Sequence, residues 1–156
     1  MKKISLFLTL LLSLLPGLRA ELTLPGVISD HMLLQQGQAD PVWGWDAPGT
    51  KITVTFAGQS YETTAGADGS WQVKLAAPTA SSTPQTLTIA GTTTVIISDV
   101  LVGEVWLCSG QSNMEMGVGM VQNGSNEIAA ADYPDIRLLK VPKLWLPLPA
   151  TNQAAD

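Results

Sequence analysis

Only one cysteine, Cys108, and one histidine, His31, occur among 156 residues. A single thiol excludes an internal disulfide framework, and a lone histidine excludes most zinc sites. Charged residues make up 13% of the chain and aromatic residues 6%. Basic charge is the scarcer sign, with eight Lys and Arg against thirteen Asp and Glu. That balance disfavours nucleic acid and anionic membrane surfaces as partners. Long apolar runs are also rare, and the clearest opens the chain. Lys2 and Lys3 precede an apolar stretch from Ile4 to Leu15, followed by Pro16-Gly17-Leu18-Arg19-Ala20. This is the order of a secretory signal peptide, too short to serve as a mature membrane helix. Residues 1–20 are therefore set apart as a leader. The remaining 136 residues carry five basic and thirteen acidic side chains, a formal charge of −8. With no lipid-bearing cysteine near the cleavage site, the expected location is periplasmic or secreted, with no membrane contact after signal cleavage. The sequence leaves the oligomeric state open.

What the chain has in quantity is turn chemistry: fourteen Gly and ten Pro. From residue 21 to 99, short alternating runs are separated by such turns. Ile52, Val54 and Phe56 alternate with Thr53 and Thr55, and Trp71, Val73 and Leu75 alternate likewise after Ala67-Asp68-Gly69-Ser70, which reads as a hairpin turn. Val42-Trp43-Gly44-Trp45, Leu87-Thr88-Ile89 and Thr94 to Ile97 add further strands. No stretch here sustains a helical period. The pattern predicts an antiparallel β-sandwich over 21–99.

After Asp99 the pattern changes. Val100-Leu101-Val102 and Val105-Trp106-Leu107-Cys108 are continuously apolar, as in a strand of a parallel sheet buried on both faces. Asn126 to Asp132 is helix-prone, and Ile136-Arg137-Leu138-Leu139 reads as a following strand. Strand, turn, helix and strand make one βαβ unit, the opening of an α/β domain over 100–156. A single unit cannot bury both faces of its strand. Pro142, Pro147 and Pro149 break up an apolar tail in which Leu144, Trp145, Leu146 and Leu148 lack an evident partner. The fold class expected is thus mixed: a sandwich followed by the truncated start of an α/β domain.

Ser112 is the first candidate for chemistry. It follows a buried strand at the point where α/β sheets gather reactive groups, with Gly110 allowing a tight turn. A serine hydroxyl needs a base to take its proton and amides to hold an oxyanion. The position supplies the hydroxyl and one amide, and no base. Ser112-Asn113-Met114-Glu115 equally fits a capping box, in which serine only caps a helix. Met114 also replaces the second glycine of a G-x-S-x-G elbow.

The block Gly103-Glu104-Val105-Trp106-Leu107-Cys108-Ser109-Gly110-Gln111-Ser112-Asn113-Met114 resembles the nucleophile block of the sialate O-acetylesterases, within the wider SGNH hydrolase group. Ser29-Asp30-His31-Met32-Leu33-Leu34-Gln35-Gln36, Pro41-Val42-Trp43-Gly44-Trp45, Asp68-Gly69-Ser70-Trp71 and residues 127–137 resemble further blocks of that family in the same order. The resemblance implies a β-sandwich followed by an SGNH-type α/β esterase domain with its parallel sheet. It implies Ser112 as nucleophile and oxyanion amide, an O-acetylated sugar such as sialic acid as substrate, and no metal or organic cofactor. Gln111 and Asn113 flank the nucleophile and would orient either the substrate or the turn. The family's Asp-x-x-His pair occurs nowhere in the sequence. The chain is therefore expected to be an esterase portion with little activity alone. The alternative is an exported glycan-binding or accessory β-sandwich module without catalysis.

The remaining chemistry-bearing residues have plainer readings. Cys108 closes an apolar strand and is expected to be buried and inert. His31 is expected at the surface or hydrogen-bonded locally, and Glu104 solvated at a strand entry. Trp43 and Trp45 share one strand face, stacking on a sugar if exposed and filling the core if buried; the core is the plainer expectation. Asn123-Gly124-Ser125 is a glycosylation sequon and also a turn signal. Met114, Met116 and Met120 are expected to pack within a helix or loop.

Overall fold

The structure is a computed structural model that describes residues 21–141. Residues 1–20, expected to be a leader, and the proline-interrupted residues 142–156 lie outside the described residues.

Period-two alternation becomes strand wherever a buried side chain follows an exposed one. In β3 (Lys51–Phe56), Ile52, Val54 and Phe56 are buried, while Lys51 and Thr55 face water. In β5 (Ser70–Leu75), Trp71, Val73 and Leu75 are buried between exposed Ser70, Gln72 and Lys74. The other strands are β1 (Leu33–Gln35), β2 (Asp40–Trp45), β4 (Gln59–Thr64), β6 (Ser81–Ala90) and β7 (Thr94–Gly103). Five form a sheet in the order β1-β7-β6-β3-β4, and β2 pairs with β5. Both sheets feed one core: Val42, Trp71, Val73 and Leu75 join Ile52, Val54, Leu87, Ile89 and Val100 in it. Each such side chain contributes about 1.5–3 kcal/mol by leaving water. The described residues are thus mostly strands, a curled mixed arrangement with one α-helix among them, α1 (Gly124–Ala130).

Several expectations are corrected. The sheet is not wholly antiparallel, because β1 runs parallel to β7 with Leu33 opposite Leu101. The Ala67–Ser70 turn is a corner between sheets, since β5 pairs with β2 and β4 pairs with β3. A two-residue hairpin instead joins β3 to β4. Ala57 and Gly58 take φ of 49° and 76° there, the two positive values such a primed turn requires.

Val100-Leu101-Val102 does not open a new strand; it is the second half of β7, which begins at Thr94. The inference of two covered faces was sound, for all three residues are buried. Val100 and Val102 face the core, and β1 pairs with the edge of this half of β7. Val105–Cys108 forms no strand, and Trp106 and Leu107 are 81% and 92% exposed. No neighbouring strand pairs with that run among the described residues. Residues 136–139 are likewise outside any strand. The helix expected at 126–132 is present as α1, two residues earlier at each end.

Asp46 fastens the two sheets. It lies at the end of β2, is 1% exposed, and accepts hydrogen bonds from Ala47 N (2.6 Å), Thr92 N (2.9 Å) and Thr92 Oγ1 (2.7 Å). Thr92 belongs to the β6–β7 turn. Gly44, in β2, is equally constrained: a Cβ there would stand 2.4 Å from the Thr23 carbonyl oxygen and 2.9 Å from the Trp71 ring. Gly44→Ala is expected to destabilise the fold by about 1–3 kcal/mol, read as a lowered denaturation midpoint in urea.

Candidate functional site

The segment carrying Ser112 hangs from β7, and residues just before β1 and within it fix it there. Asp30 accepts Ser98 N (2.6 Å) and Ser98 Oγ (2.8 Å). His31 donates through Nδ1 to Asp99 Oδ2 at 2.5 Å, and its own amide donates to the Ser98 carbonyl. Five residues on, Gln36 N donates to the Gly103 carbonyl. Gln35 and Gln36 both donate side-chain N–H to Glu104, and Val105 N donates back to Gln35 Oε1 at 2.7 Å. The segment 29–36 therefore holds β7 at two places, and the second place is the entry to the serine block.

From Glu104 the chain runs exposed to Gln111, then makes a 3₁₀ turn over Ser112–Glu115. Gln111 precedes that turn, and its carbonyl accepts Met114 N at 2.9 Å. Asn113 contributes its carbonyl to Met116 N. A Cβ at Gly110 would lie 2.5 Å from Met114 Cγ, so the Met114 side chain occupies that space. A second 3₁₀ turn, Val118–Met120, leads to α1, and Asn123 precedes the helix with φ of 61°. The chain then returns to β7. Arg137 Nη2 donates to Asp99 Oδ1 at 3.0 Å and lies 2.9 Å from Oδ2.

Ser112 is exposed at the first position of its turn. The capping-box alternative is not realised: Gln111, not Ser112, stands at the N-cap, and no side chain caps the turn. No hydrogen bond joins Ser112 to His31, which is engaged with Asp99. Cys108 is exposed rather than buried, because the run it closes finds no sheet to enter. Met116 and Met120 are exposed as well, while Met114, though also exposed, lies against Gly110 within the loop. Trp43 packs against the margin of the core, while both Trp43 and Trp45 keep part of their surface in a groove. Among the described residues no group of three or more metal-ligating side chains is placed to hold an ion.

The anchor residues Asp99, Arg137, Gln35, Gln36 and Glu104 were not read from the sequence. Their partners lie 38 to 70 positions apart, beyond any periodic signal. Hydrogen bonding fixes their electrostatics. The His31 hydrogen bond, with Arg137 beside it, holds the Asp99 carboxyl below the usual range. Gln36 and Gln35 do the same for Glu104, and the Ser98 amide and hydroxyl for Asp30. Carboxylates with depressed folded values stabilise fully above their ordinary values of about 4, and that contribution is lost as pH falls through the folded values. Protection factors, taken against the slower intrinsic exchange of acid solution, are therefore expected to fall in residues 104–141 below about pH 4, before the buried strands β3 and β6 lose protection. Simultaneous loss in both regions would refute this.

No family model matches the chain. It is 37% identical over 130 residues to the sialate O-acetylesterase of Mus musculus, a match covering 73% of this chain and 23% of the mouse protein. Against the sialate O-acetylesterase of Homo sapiens it is 37% identical over 128 residues, covering 73% and 24%. A crystal structure of a carbohydrate acetylesterase from Xanthomonas citri superposes with a TM-score of 0.81 at 39% identity, over 85% of this chain and 31% of that one. The chain spans about a quarter of the length of these curated relatives. Over that span, in sequence and in fold, it belongs to the sialate O-acetylesterase family.

Proposed function

We propose that this chain contributes the nucleophile-bearing portion of an esterase that removes O-acetyl groups from sialic acid or related acetylated sugars. The exposed Ser112 hydroxyl carries the reading, standing on a segment pinned to β7 at Glu104 and at Arg137. The relatives named for acetylesterase activity support the substrate class. In this reading the strands through β7 act as a β-sandwich, and the chain from Glu104 onward begins an SGNH-type α/β domain. The exposed apolar side chains of Trp106, Leu107 and Leu138 are the surface such a domain would cover.

The chemistry is two-step acyl transfer. Ser112 Oγ attacks the acetyl carbonyl while a base takes its proton, and the Ser112 amide donates to the oxyanion. Collapse expels the sugar alcohol, which recovers the proton and leaves an acetyl-serine ester. Water then attacks that ester, releasing acetate and restoring the hydroxyl. The sequence lacks an Asp-x-x-His pair for the base. Gln111 and Asn113 shape the turn through their carbonyls, and their side chains are free to orient a sugar. Export by the leader at 1–20 makes the site periplasmic or secreted; mass spectrometry of the mature protein should then find Glu21 at its N-terminus.

The test is a chimera. Residues 104–141 replace the matching segment of the Xanthomonas citri carbohydrate acetylesterase. The chimera is expected to release acetate from acetylated sugars, and Ser112→Ala to cut turnover by about 10⁴- to 10⁶-fold. Undiminished turnover with alanine would remove Ser112 from the reaction. The other reading, a non-catalytic glycan-binding module, draws on the groove beside Trp43 and Trp45.

A further inference from the structure

A groove of about 620 Å³ lies beside the two-stranded sheet, lined by residues of β2, β4, β5 and the corner between β4 and β5. Trp43 and Trp45 stand on one face of β2, and their register partners Gln72 and Ser70 stand on the same face of β5. Thr63 and Thr64, at the end of β4, complete the polar side. None of the ten lining residues carries a charge. Trp71 also lines the groove, 4% exposed, and its indole N–H is buried without an acceptor. Indole faces offer broad apolar contact at low entropic cost, while threonine, serine and glutamine both donate and accept hydrogen bonds.

We infer that this groove binds a neutral oligosaccharide, stacked on Trp43 and Trp45 and hydrogen-bonded by Gln72, Ser70 and the β4 threonines. The uncharged lining decides the class. An anion finds no cationic partner there, and a polynucleotide, which also stacks on aromatic rings, meets a chain with net charge −5. A sugar chain matches both halves of the lining, with C–H faces for the indoles and hydroxyls for the rim. No residue of the Ser112 segment contributes, so the groove is a second carbohydrate site. The choice of sugar rests in part on the esterase reading. In that relation the groove would hold the glycan while its acetyl ester is presented elsewhere.

The experiment measures binding alone, so its failure is separate from failure of the hydrolysis test. The full chain is run in native gels containing hydroxyethylcellulose, galactomannan or arabinoxylan, with polygalacturonate as the charged comparison. Intrinsic tryptophan fluorescence is titrated with the matching neutral oligosaccharides. The expected result is retardation by at least one neutral polymer and none by polygalacturonate. Trp45→Ala and Trp43→Ala should each weaken binding about tenfold, the loss of one stacking contact. Trp45→Phe should restore most of it, which separates stacking from a folding defect, and Ser112→Ala should bind as the parent does. The proposal is overturned if no neutral polymer binds, if the alanine variants bind normally, or if polygalacturonate binds as well. It is equally overturned if Ser112→Ala abolishes retardation. Protection of the groove by the chain's own Pro142–Pro149 segment or by a second copy, lost in Trp45→Ala, would also overturn it.

Discussion

Purified alone and assayed on an acetyl ester, the chain is expected to show no hydrolysis above the buffer rate. A serine without its base loses on the order of 10⁶ in turnover, the figure known from subtilisin. The only histidine available is His31, and its Nδ1–H is committed to Asp99. That pairing has the form of a catalytic His–Asp couple, in which a carboxylate holds one ring nitrogen and leaves the other free to take a proton. Its partners place it differently. Asp99 is shared with Arg137, and His31 sits beside Ser98 in the anchoring segment. His31→Ala is thus expected to loosen residues 136–138 in hydrogen exchange and to leave the ester assay at background. Robust turnover by the parent chain, abolished by Ser112→Ala and His31→Ala alike, would make this pair the base and the chain self-sufficient.

Asp46→Ala should be the most damaging substitution in the β-sheet core. The carboxylate is buried, and alanine would leave Thr92 N, Thr92 Oγ1 and Ala47 N without their acceptor. Net of exchange with water, hydrogen bonds such as these contribute about 1–1.5 kcal/mol each. A total on the order of 4 kcal/mol is a large share of the stability of a small domain. The expected fall in Tm is about 15–30 °C. Asp46→Asn keeps an acceptor oxygen and should cost roughly half as much. Gly91→Ala reaches the same knot from the other side, since its Cβ would lie within van der Waals overlap of Asp46 Oδ2. Equal Tm values for the parent and Asp46→Ala would show that the sheets are fastened by hydrophobic contact alone.

The sequence made some of this architecture readable and hid the rest for identifiable reasons. β3 and β5 were legible because each buries one face, which imposes strict alternation on Ile52-Val54-Phe56 and Trp71-Val73-Leu75. β1 was missed: three residues, Leu33–Gln35, are too short to show a period. The second half of β7 has the continuous apolar run of a strand buried on both faces, and its residues are buried, but composition reports burial and not which sheet the strand belongs to. Val105–Cys108 has the composition of a buried strand and stands exposed in the described residues. The turn at Ser112 was legible from Gly110 and the polar run after it. The pins that position it were not. Asp99–Arg137 and Gln35–Glu104 are contacts between distant residues whose types, taken singly, suggest only solvated surface.

Those two pins have a consequence for how the segment between them can vary. Glu104 and Asp99 are five residues apart on one stretch of backbone, roughly 17 Å at strand rise. The intervening chain is a closed ring whose ends stay put whatever its contour. Closure entropy grows only logarithmically, about 0.6 kcal/mol for each doubling of such a ring. Extra residues spliced in near Gly117 or Asn123 should therefore be absorbed with little penalty to the β-sheets beneath, whereas shortening across either pin would cut the tether itself.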